Sequence, residues 1–365
     1  MPALNDTRVL VAAGGTGGHI TPALAVADEL AARGAAVTFV TTPSQVARVA
    51  EWFPAWALEM RGFERRLLAR ENAVTLWRLA AAAPRSWRIV SAVRPHVAVG
   101  GGGYLSGPVV AAAALRGVPA LALESDAHLG VTNRLLAPLV SRLCLSFPIE
   151  GRRPPRFVVT GRPLSAAQLA ADAVTGRAAF GLTTAQSVVL VFGGSQGAQS
   201  LNRACLEAFG SATLDIQVLH VCGPRNLDEM KAALAARGAD VERYRLLPYT
   251  EDLAHAMAAA DLIVGRAGGS VAEITALGRP AVLVPYPHAT ADHQSKNASW
   301  MAAAGAAVVV ADADLDGRLL GGLVRELLAD EPRLARMAAA SRAAGRPDAT
   351  RRVADEVESL LARRS

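Results

Sequence analysis

The sequence of 365 residues predicts an α/β protein made of two doubly wound, parallel-sheet domains that face each other across a cleft. Two observations lead to this prediction. An apolar run followed by a glycine-rich turn occurs twice, at residues 9–18 and at residues 188–197. After each of these units, short apolar runs alternate with helical patterns, which is typical of parallel β-α-β units. The chain is also long enough for two domains of ordinary size.

In the first half, residues 9–13 predict the first strand and residues 14–18 the turn after it. Thr21 and Pro22 match an N-cap and the first residue of a helix that would end at Gly34. The other elements predicted in this half are strands at 37–40, 96–100 and 119–123, a helix ending at 115 and a helix at 132–140.

In the second half, residues 188–192 predict a strand that turns sharply into a helix at residues 193–197. Ser270 and Glu273 have the spacing of a capping box, in which the glutamate bonds back to the cap, and they predict the start of a helix. The other elements predicted in this half are strands at 261–264 and 281–284 and a terminal helix at 347–363.

Composition and charge limit the classes of function. Hydrophobic residues make up 52% of the chain, which provides a sizeable core and excludes global disorder. The formal net charge of +6 is compatible with nucleic acid, an anionic membrane surface or phosphorylated ligands. We find no leader pattern and no apolar run of membrane-spanning length, so we expect any membrane association to be peripheral.

The two glycine-rich turns are candidate anion sites, because a strand-to-helix turn presents unpaired N–H groups at the positive end of a helix. The first turn does not match a dinucleotide fingerprint. Ile20 stands at the third glycine position, and Thr41 and Thr42 replace the acid after the second strand. A Walker A loop is also excluded, because no Gly-Lys-Ser/Thr follows. We therefore expect phosphate sites of another kind, and a tight turn without a ligand is the alternative.

Two residues beside these turns could act in catalysis or binding. His19 lies at a predicted helix start, where a neutral imidazole is favoured and could act as a base. A capping or packing histidine is the alternative. Glu273 either completes the capping box or binds ribose hydroxyls. Both interpretations of each residue stay open at this stage.

A polar cluster follows the predicted strand at 281–284. It contains His288, His293, Gln294 and Asn297. The spacing of the histidines is not that of a recognised metal site, and amides and imidazoles suit sugar hydroxyls better. We therefore predict no metal and no other cofactor.

Residues 61–94 contain eight arginines, with Trp77 and Trp87 interleaved. A solvated helix face is one interpretation of this segment. The other is an interfacial patch, in which tryptophans lie at headgroup depth and arginines contact anionic lipid.

Four motifs together resemble those of the MurG family, the peripheral N-acetylglucosaminyltransferases of peptidoglycan synthesis in the glycosyltransferase family 28 group. They are GGTGGH at 14–19, GGYLSGP at 102–108, GGSQGA at 193–198 and HQSKNA at 293–298. The resemblance covers nearly the whole chain. It implies the GT-B fold, with domains at 1–161 and 162–346 and a terminal helix at 347–365 that packs back onto the first domain.

The resemblance also implies an activity and partners. The expected reaction is inverting transfer of GlcNAc from UDP-GlcNAc to the MurNAc 4-hydroxyl of undecaprenyl-linked lipid I, giving lipid II. The expected location is the cytoplasmic face of the plasma membrane, contacted through residues 61–94, and no nucleic acid partner is expected. The alternatives are a same-fold UDP-GlcNAc epimerase and another UDP-sugar:lipid glycosyltransferase.

Matching motif to motif implies residue roles. His19 would be the general base, with Glu124 as an alternative. The residues expected to bind the donor are Thr16, Gly17, Gly18, Asp126, Arg162, Ser195, Gln196, Glu273, Gln294 and Asn297. The residues expected on the acceptor side are Gly14, Gly15, Tyr104 and Ser106.

This chain departs from the family pattern at four places. Asp126 stands where the family often has asparagine. The sequence GRPLS at 161–165 replaces Gly-Asn-Pro-Val-Arg, so that the arginine has moved to position 162. The segment 266–273 is one residue shorter than usual, and His293 replaces a glutamine found in some members.

Overall fold

The computed structural model describes residues 4–15, 17–60, 70–211 and 213–363, and only the backbone of residues 17, 70–81 and 290. The chain forms two compact units, Met1–Ser165 with Pro347–Ser365, and Ala166–Arg346. The first unit includes residues 162–165, which the sequence-based boundary assigns to the second domain. Several predicted site or patch residues lie outside the described residues, either entirely or by their side chains; they are Thr16, Arg61, Arg65, Arg66, Arg70, Trp77 and Arg78.

The first unit contains a parallel sheet of seven strands in its described part, in the order β3-β2-β1-β4-β5-β6-β7. The strands form because short apolar runs are buried on both faces of the sheet by helices. Their bounds are β1 Arg8–Ala12, β2 Ala36–Thr41, β3 Ala55–Ala57, β4 Val97–Gly100, β5 Ala120–Glu124, β6 Arg142–Leu145 and β7 Phe157–Val159.

Helices cover both faces of this sheet. They are α1 Gly17–Ala32, α2 Pro43–Ala50, α3 Arg70–Val93, α4 Gly103–Leu115, α5 Val131–Leu136 and, from the end of the chain, α15 Ala349–Ala362. Helix α15 packs on α1 and buries Val353 and Val357 completely in the core of the first unit. Arg33 on the α1 side forms ion pairs with Asp355 at 2.7 Å and Glu358 at 2.8 Å. The last helix is therefore an integral part of the first unit.

The second unit contains a parallel sheet of six described strands in the order β10-β9-β8-β11-β12-β13. Its strands are β8 Val188–Phe192, β9 Gln217–Val221, β10 Tyr244–Leu247, β11 Leu262–Gly265, β12 Ala281–Leu283 and β13 Ala307–Val309. Its helices are α6 Ala166–Leu169, α7 Ala173–Ala179, α8 Gln199–Phe209, α9 Leu227–Ala236, α10 Leu253–Ala259, α11 Ser270–Ala276, α12 His293–Ala303, α13 Gly317–Ala329 and α14 Glu331–Ala344.

In both sheets the strand order reverses beside the first strand of the unit. Strand β1 lies between β2 and β4, and β8 lies between β9 and β11. At such a switch point the connections leave to opposite faces, and a crevice opens outside the carboxyl ends of the strands. The glycine-rich turns follow β1 and β8, so each predicted anion site lies where open α/β sheets bind their ligands.

One predicted helix start is wrong, and two others need detail. Helix α1 begins at Gly17 and includes Pro22, whereas the sequence analysis placed the start at Thr21. Helix α8 begins at Gln199, so the turn at 193–198 precedes the helix. Helix α11 begins at Ser270 as predicted, but its N-cap is Gly269 rather than Ser270, and the Ser270 hydroxyl contacts the Arg266 carbonyl at 3.5 Å. Among the described helices, none combines the length and the apolar character needed to cross a membrane.

Candidate active site

The turn after β1 is open on its outer side. Gly15 has a φ of 100°, which only glycine adopts readily, and no described atom would lie within 4 Å of a Cβ placed there. At Gly14, by contrast, a Cβ would lie 2.9 Å from Cδ1 of Leu105. The turn is therefore packed on its inner side and free to receive a ligand on its outer side.

His19 follows this turn and packs against the glycines that begin α4. A Cβ at Gly102 would lie 2.8 Å from Nδ1 of His19, and one at Gly103 would lie 3.3 Å from its Cδ2. Among the described residues, none forms a hydrogen bond with this shielded Nδ1. Burial lowers the pKa of His19, the positive charge of Arg162 lowers it further, and Asp126 opposes the shift. The imidazole is therefore neutral at pH 7.

Arg162 compensates for a hydrogen bond that α1 lacks. Pro22 has no N–H, so the Gly18 carbonyl, four residues earlier, cannot accept the usual helical bond. Nη2 of Arg162 donates to this carbonyl at 2.6 Å. Arg162 is buried at 6% exposure and lies in the first unit. Its contact is thus with the turn that precedes His19, and this turn belongs to the same unit.

Glu124 ends β5 with its carboxylate held by three donors. The backbone N–H of Gly130 donates at 2.8 Å, Nδ2 of Asn133 at 3.0 Å and the N–H of Asp126 at 3.3 Å. Burial raises its pKa to about 6, although the bonds from Asn133 and Gly130 oppose that shift. Through Asp126, which affects the pKa of both groups, Glu124 and His19 belong to one electrostatic cluster.

The two acceptor-side residues on α4 differ in exposure. Tyr104 is partly buried near the start of the helix. Ser106 is completely buried, and its hydroxyl donates to the Gly103 carbonyl at 3.0 Å. The structure thus places Ser106 inside the unit, where it stabilises the start of α4.

The turn after β8 repeats the arrangement after β1. Gly194 has a φ of 89°, and no described atom would lie within 4 Å of a Cβ there. Ser195 and Gln196 are exposed. Gly197 is packed so closely that a Cβ would lie 2.0 Å from the Cys222 carbonyl. As in the first unit, one side of the turn is fixed and the other is open.

The remaining donor-side residues lie after β11 and β12. Glu273 is partly buried in the first turn of α11. Oε1 of Gln294 accepts a hydrogen bond from the N–H of Tyr286 at 2.9 Å. Asn297 is completely buried, and its Nδ2 donates to the Ala267 carbonyl at 3.0 Å. Asn297 therefore fixes the backbone after β11 rather than lying at an open surface.

Comparison with known proteins decides the family. The profiles described as the glycosyltransferase family 28 N-terminal and C-terminal domains match residues 9–144 and 188–353. A relative from Moorella thermoacetica, named UDP-N-acetylglucosamine--N-acetylmuramyl-(pentapeptide) pyrophosphoryl-undecaprenol N-acetylglucosamine transferase, is 41% identical over 94% of this chain and 96% of its own. The chain belongs to the MurG family of glycosyltransferases.

Solved structures agree with this assignment. The crystal structure of Acinetobacter baumannii MurG superposes with a TM-score of 0.77 at 29% identity, covering 97% of this chain and 99% of that one. The UDP-GlcNAc 2-epimerase from Neisseria meningitidis, bound to UDP-GlcNAc, has a TM-score of 0.68 at 14% identity, covering 97% and 100%. The second likeness shows a shared fold alone, and with the first it establishes the GT-B architecture.

The structure adds residues to the MurG-family motifs that sequence reasoning missed. Asn133, in the short helix α5, donates a hydrogen bond to Glu124 at the end of β5. The signal available in the sequence was an asparagine that soon follows a strand ending in an acid. Arg266 directly follows an apolar strand and is 8% exposed. An arginine in that position could have been recognised as a buried cation that needs a partner.

The aspartates at 312 and 314 form an Asp-x-Asp sequence that the cofactor prediction overlooked. Oδ1 of Asp312 accepts a bond from Nη1 of Arg266 at 2.6 Å. Within the described ranges, no three His, Cys, Asp or Glu side chains are grouped closely enough to hold a metal ion. His288 is exposed beside Tyr286, their rings 5.5 Å apart, and His293 begins α12.

Proposed function

We propose that this chain transfers GlcNAc from UDP-GlcNAc to the 4-hydroxyl of the MurNAc sugar in undecaprenyl-pyrophosphoryl-MurNAc-pentapeptide, with inversion, and so forms lipid II. One observation carries the proposal. Each unit has an open glycine turn at the switch point of its sheet, formed around Gly15 and Gly194. Two such turns suit two diphosphorylated substrates. Membership of the MurG family selects the sugars and the lipid.

The donor would bind to the second unit. Ser195 and Gln196, exposed on the open turn, would hold the pyrophosphate together with the backbone N–H groups of the turn. Glu273 would accept hydrogen bonds from the ribose hydroxyls, and Gln294 would contact the sugar. In the first unit, Gly17 and Gly18 precede His19, whose pKa Asp126 raises. Arg162 would act through the Gly18 carbonyl that it already binds.

The reaction is a direct displacement at the anomeric carbon. The acceptor oxygen forms a bond to that carbon, the bond to the UDP oxygen breaks, and the hydroxyl proton passes to a base. His19 suits this role because its imidazole is neutral and its side chain is only partly buried beside the open turn. Glu124 suits it less, since three donors already engage its carboxylate.

The negative charge that develops on UDP would be stabilised by the turn at 193–198 and by the helix α8 behind it. A helix terminus contributes up to about 2 kcal/mol when partly buried. Enzymes reduce barriers by about 8 kcal/mol or more. The larger share would therefore come from the orientation of the two substrates and from proton removal.

An exposed apolar and basic surface on the first unit would contact the membrane. Helix α4 packs against both α3 and α5. The exposed apolar side chains on these helices are Trp87 on α3, Leu115 at the end of α4, and Leu135 and Leu139 on and after α5, all between 42% and 68% exposed, and together they would form this surface. The guanidinium of Arg116 lies 4.8 Å from the Trp87 ring. Tryptophan and leucine would enter the headgroup region, and the neighbouring arginines would contact anionic lipid on the cytoplasmic face.

The activity is tested by following UDP release from UDP-GlcNAc with and without a short-chain lipid I analogue. We expect release only with the acceptor, together with a disaccharide product. Release without an acceptor would favour the epimerase alternative, which shares the fold. UDP-GalNAc serves as a competing donor, and its equal use would contradict the proposed sugar specificity.

A further inference from the structure

A partly buried ion pair connects segments of the second unit that the proposed donor site uses. Nη1 of Arg266 donates to Oδ1 of Asp312 at 2.6 Å, and Nη2 donates to Oγ of Ser200 at 2.8 Å. The Ser200 hydroxyl donates in turn to the same Oδ1 of Asp312 at 2.7 Å. Three side chains thus close a ring of hydrogen bonds around one guanidinium group.

The same guanidinium fixes the backbone after β12. Nη1 of Arg266 also donates to the carbonyls of Val284 at 3.1 Å and Pro285 at 3.2 Å. Its Cζ lies 5.5 Å from the centre of the Tyr286 ring. The N–H of Tyr286 donates to Oε1 of Gln294 at 2.9 Å. The position of the Gln294 amide therefore depends on a segment that Arg266 holds.

The ring also reaches the phosphate turn and the loop after β11. Ser200 is the second residue of α8, directly after the turn at 193–198. Ala267, the neighbour of Arg266, accepts the bond from the buried Asn297. One side chain is therefore linked to the start of α8, to the loop before Glu273 and to the support of Gln294.

We propose that Arg266 is a positioning residue for the sugar-nucleotide donor, which it serves by fixing the phosphate turn and Gln294 relative to each other. The proposal rests on the proposed function, because it takes the second unit to bind UDP-GlcNAc. Arginine is required for this geometry. Its planar fork donates in several directions at once, whereas lysine presents a single nitrogen on a flexible stem.

The test is Arg266→Lys, with Arg279→Lys as the matched control. Arg279 precedes β12 in the same unit, and its Nη1 donates to the Ala260 carbonyl at 3.0 Å. We expect Arg266→Lys to raise the KM for UDP-GlcNAc and the calorimetric Kd for UDP by about tenfold or more. The KM for a lipid I analogue should stay within about twofold of wild type. Arg279→Lys should change none of these values.

A double-mutant cycle of Arg266 and Gln294 separates a positioning role of Arg266 from general support of the fold. Gln294→Ala should raise the KM for UDP-GlcNAc in the wild-type background. In the Arg266→Lys background, the same change should have less than about half of that effect, expressed as free energy. If Arg266→Lys does not fold, Ser200→Ala removes a single hydroxyl from the ring. We expect it to raise the donor KM by about threefold without raising the acceptor KM.

Three results would overturn the positioning role: additive effects of Arg266→Lys and Gln294→Ala, equal increases in both KM values, or an unchanged donor KM. Wild-type chain that binds neither UDP nor UDP-GlcNAc would remove the proposed function and this inference together. Normal donor binding by both wild type and Arg266→Lys would remove this inference alone.

Discussion

At the scale of single residues, the surroundings of the Gly18 carbonyl show which parts of the site can be predicted from the sequence and which cannot. The motif at residues 14–19 predicts a turn that leads into a helix with His19 near the helix start. The structure contains this turn and this helix. The partner of Gly18 is Arg162, which lies 144 residues further along the chain. No local pattern joins such residues, because the bond exists only after β1 and the segment following β7 have entered the same unit. The family motifs therefore identified both His19 and Arg162, but they assigned Arg162 to the donor and missed its bond to Gly18 and its effect on the pKa of His19.

Replacing the candidate base tests its role directly. We expect His19→Ala to lower kcat by about a hundredfold or more, since general bases contribute about 10²- to 10⁴-fold. The KM for UDP-GlcNAc should stay within about threefold of wild type, because the donor would bind mainly to the second unit. Steady-state kinetics with varied donor measures both values. A change confined to KM would remove His19 from this role.

Replacement of Arg162 should shift the pH profile of kcat/KM in a defined direction. The positive charge of Arg162 lowers the pKa of His19, while Asp126 raises it. A base must be neutral to act, so activity is lost as pH falls through that pKa. Arg162→Met removes the charge, and the acid limb of kcat/KM should then move to higher pH. Arg162→Lys retains the charge and should leave the limb near its wild-type position.

The pH profile of kcat/KM also distinguishes His19 from Glu124 as the general base. Burial raises the pKa of Glu124 to about 6, and the hydrogen bonds from Asn133 and Gly130 are the main effects that oppose it. A limb that belongs to Glu124 would disappear in Glu124→Gln, whereas a limb that belongs to His19 would remain. Loss of the limb in Glu124→Gln would contradict the assignment of His19.

At the level of strands and helices, prediction succeeded for the strands around the two switch points. The predicted strands correspond to β1, β2, β4, β5, β8, β11 and β12, which lie next to or near the switch points. Strand β9 was missed although it is fully buried, because Gln217 and His220 interrupt its apolar pattern. Tertiary bonds satisfy both residues: Gln217 bonds to Thr183, and His220 bonds to the Tyr244 hydroxyl. The periodicity of the sequence does not reveal such tertiary hydrogen-bond partners.

The glycines before α4 set the position of His19, and their removal is testable. Gly102 has a φ of 92°, and a Cβ would lie 2.8 Å from Nδ1 of His19. We expect Gly102→Ala to cost about 1–3 kcal/mol in stability, because its φ of 92° with a ψ of −179° is almost restricted to glycine. Displacement of the imidazole should also lower kcat, by between about tenfold and a hundredfold.

Gly238→Ala is the matched control. Gly238 also has a positive φ, of 64°, but no described atom would lie within 4 Å of its Cβ. The control should lose similar stability in thermal unfolding and retain its kcat. Equal kcat values for the two variants would show that contact with His19 does not matter.

In the molecule as a whole, each unit supplies one open turn, and each turn is fixed from behind by its own distant partners. Arg162 binds the first turn, while Cys222 and its neighbours pack against the second. Helix α15 follows the second unit in sequence but contributes Val353 and Val357 to the core of the first unit. Only the first unit presents the apolar and basic surface around Trp87. This division is consistent with an acceptor drawn from the membrane and a donor drawn from water.

That division makes a prediction about membrane binding. The double variant Leu135→Ser, Leu139→Ser should weaken binding to vesicles that contain phosphatidylglycerol by about tenfold or more, because burying one leucine contributes about 1.5–3 kcal/mol. Leu319→Ser, a change of similar exposure in the second unit, should bind as wild type does. Binding should also weaken with added salt, since arginines near the surface contribute about 1 kcal/mol each. Vesicle sedimentation measures all three effects, and equal binding by the two variants would place the membrane contact elsewhere on the molecule.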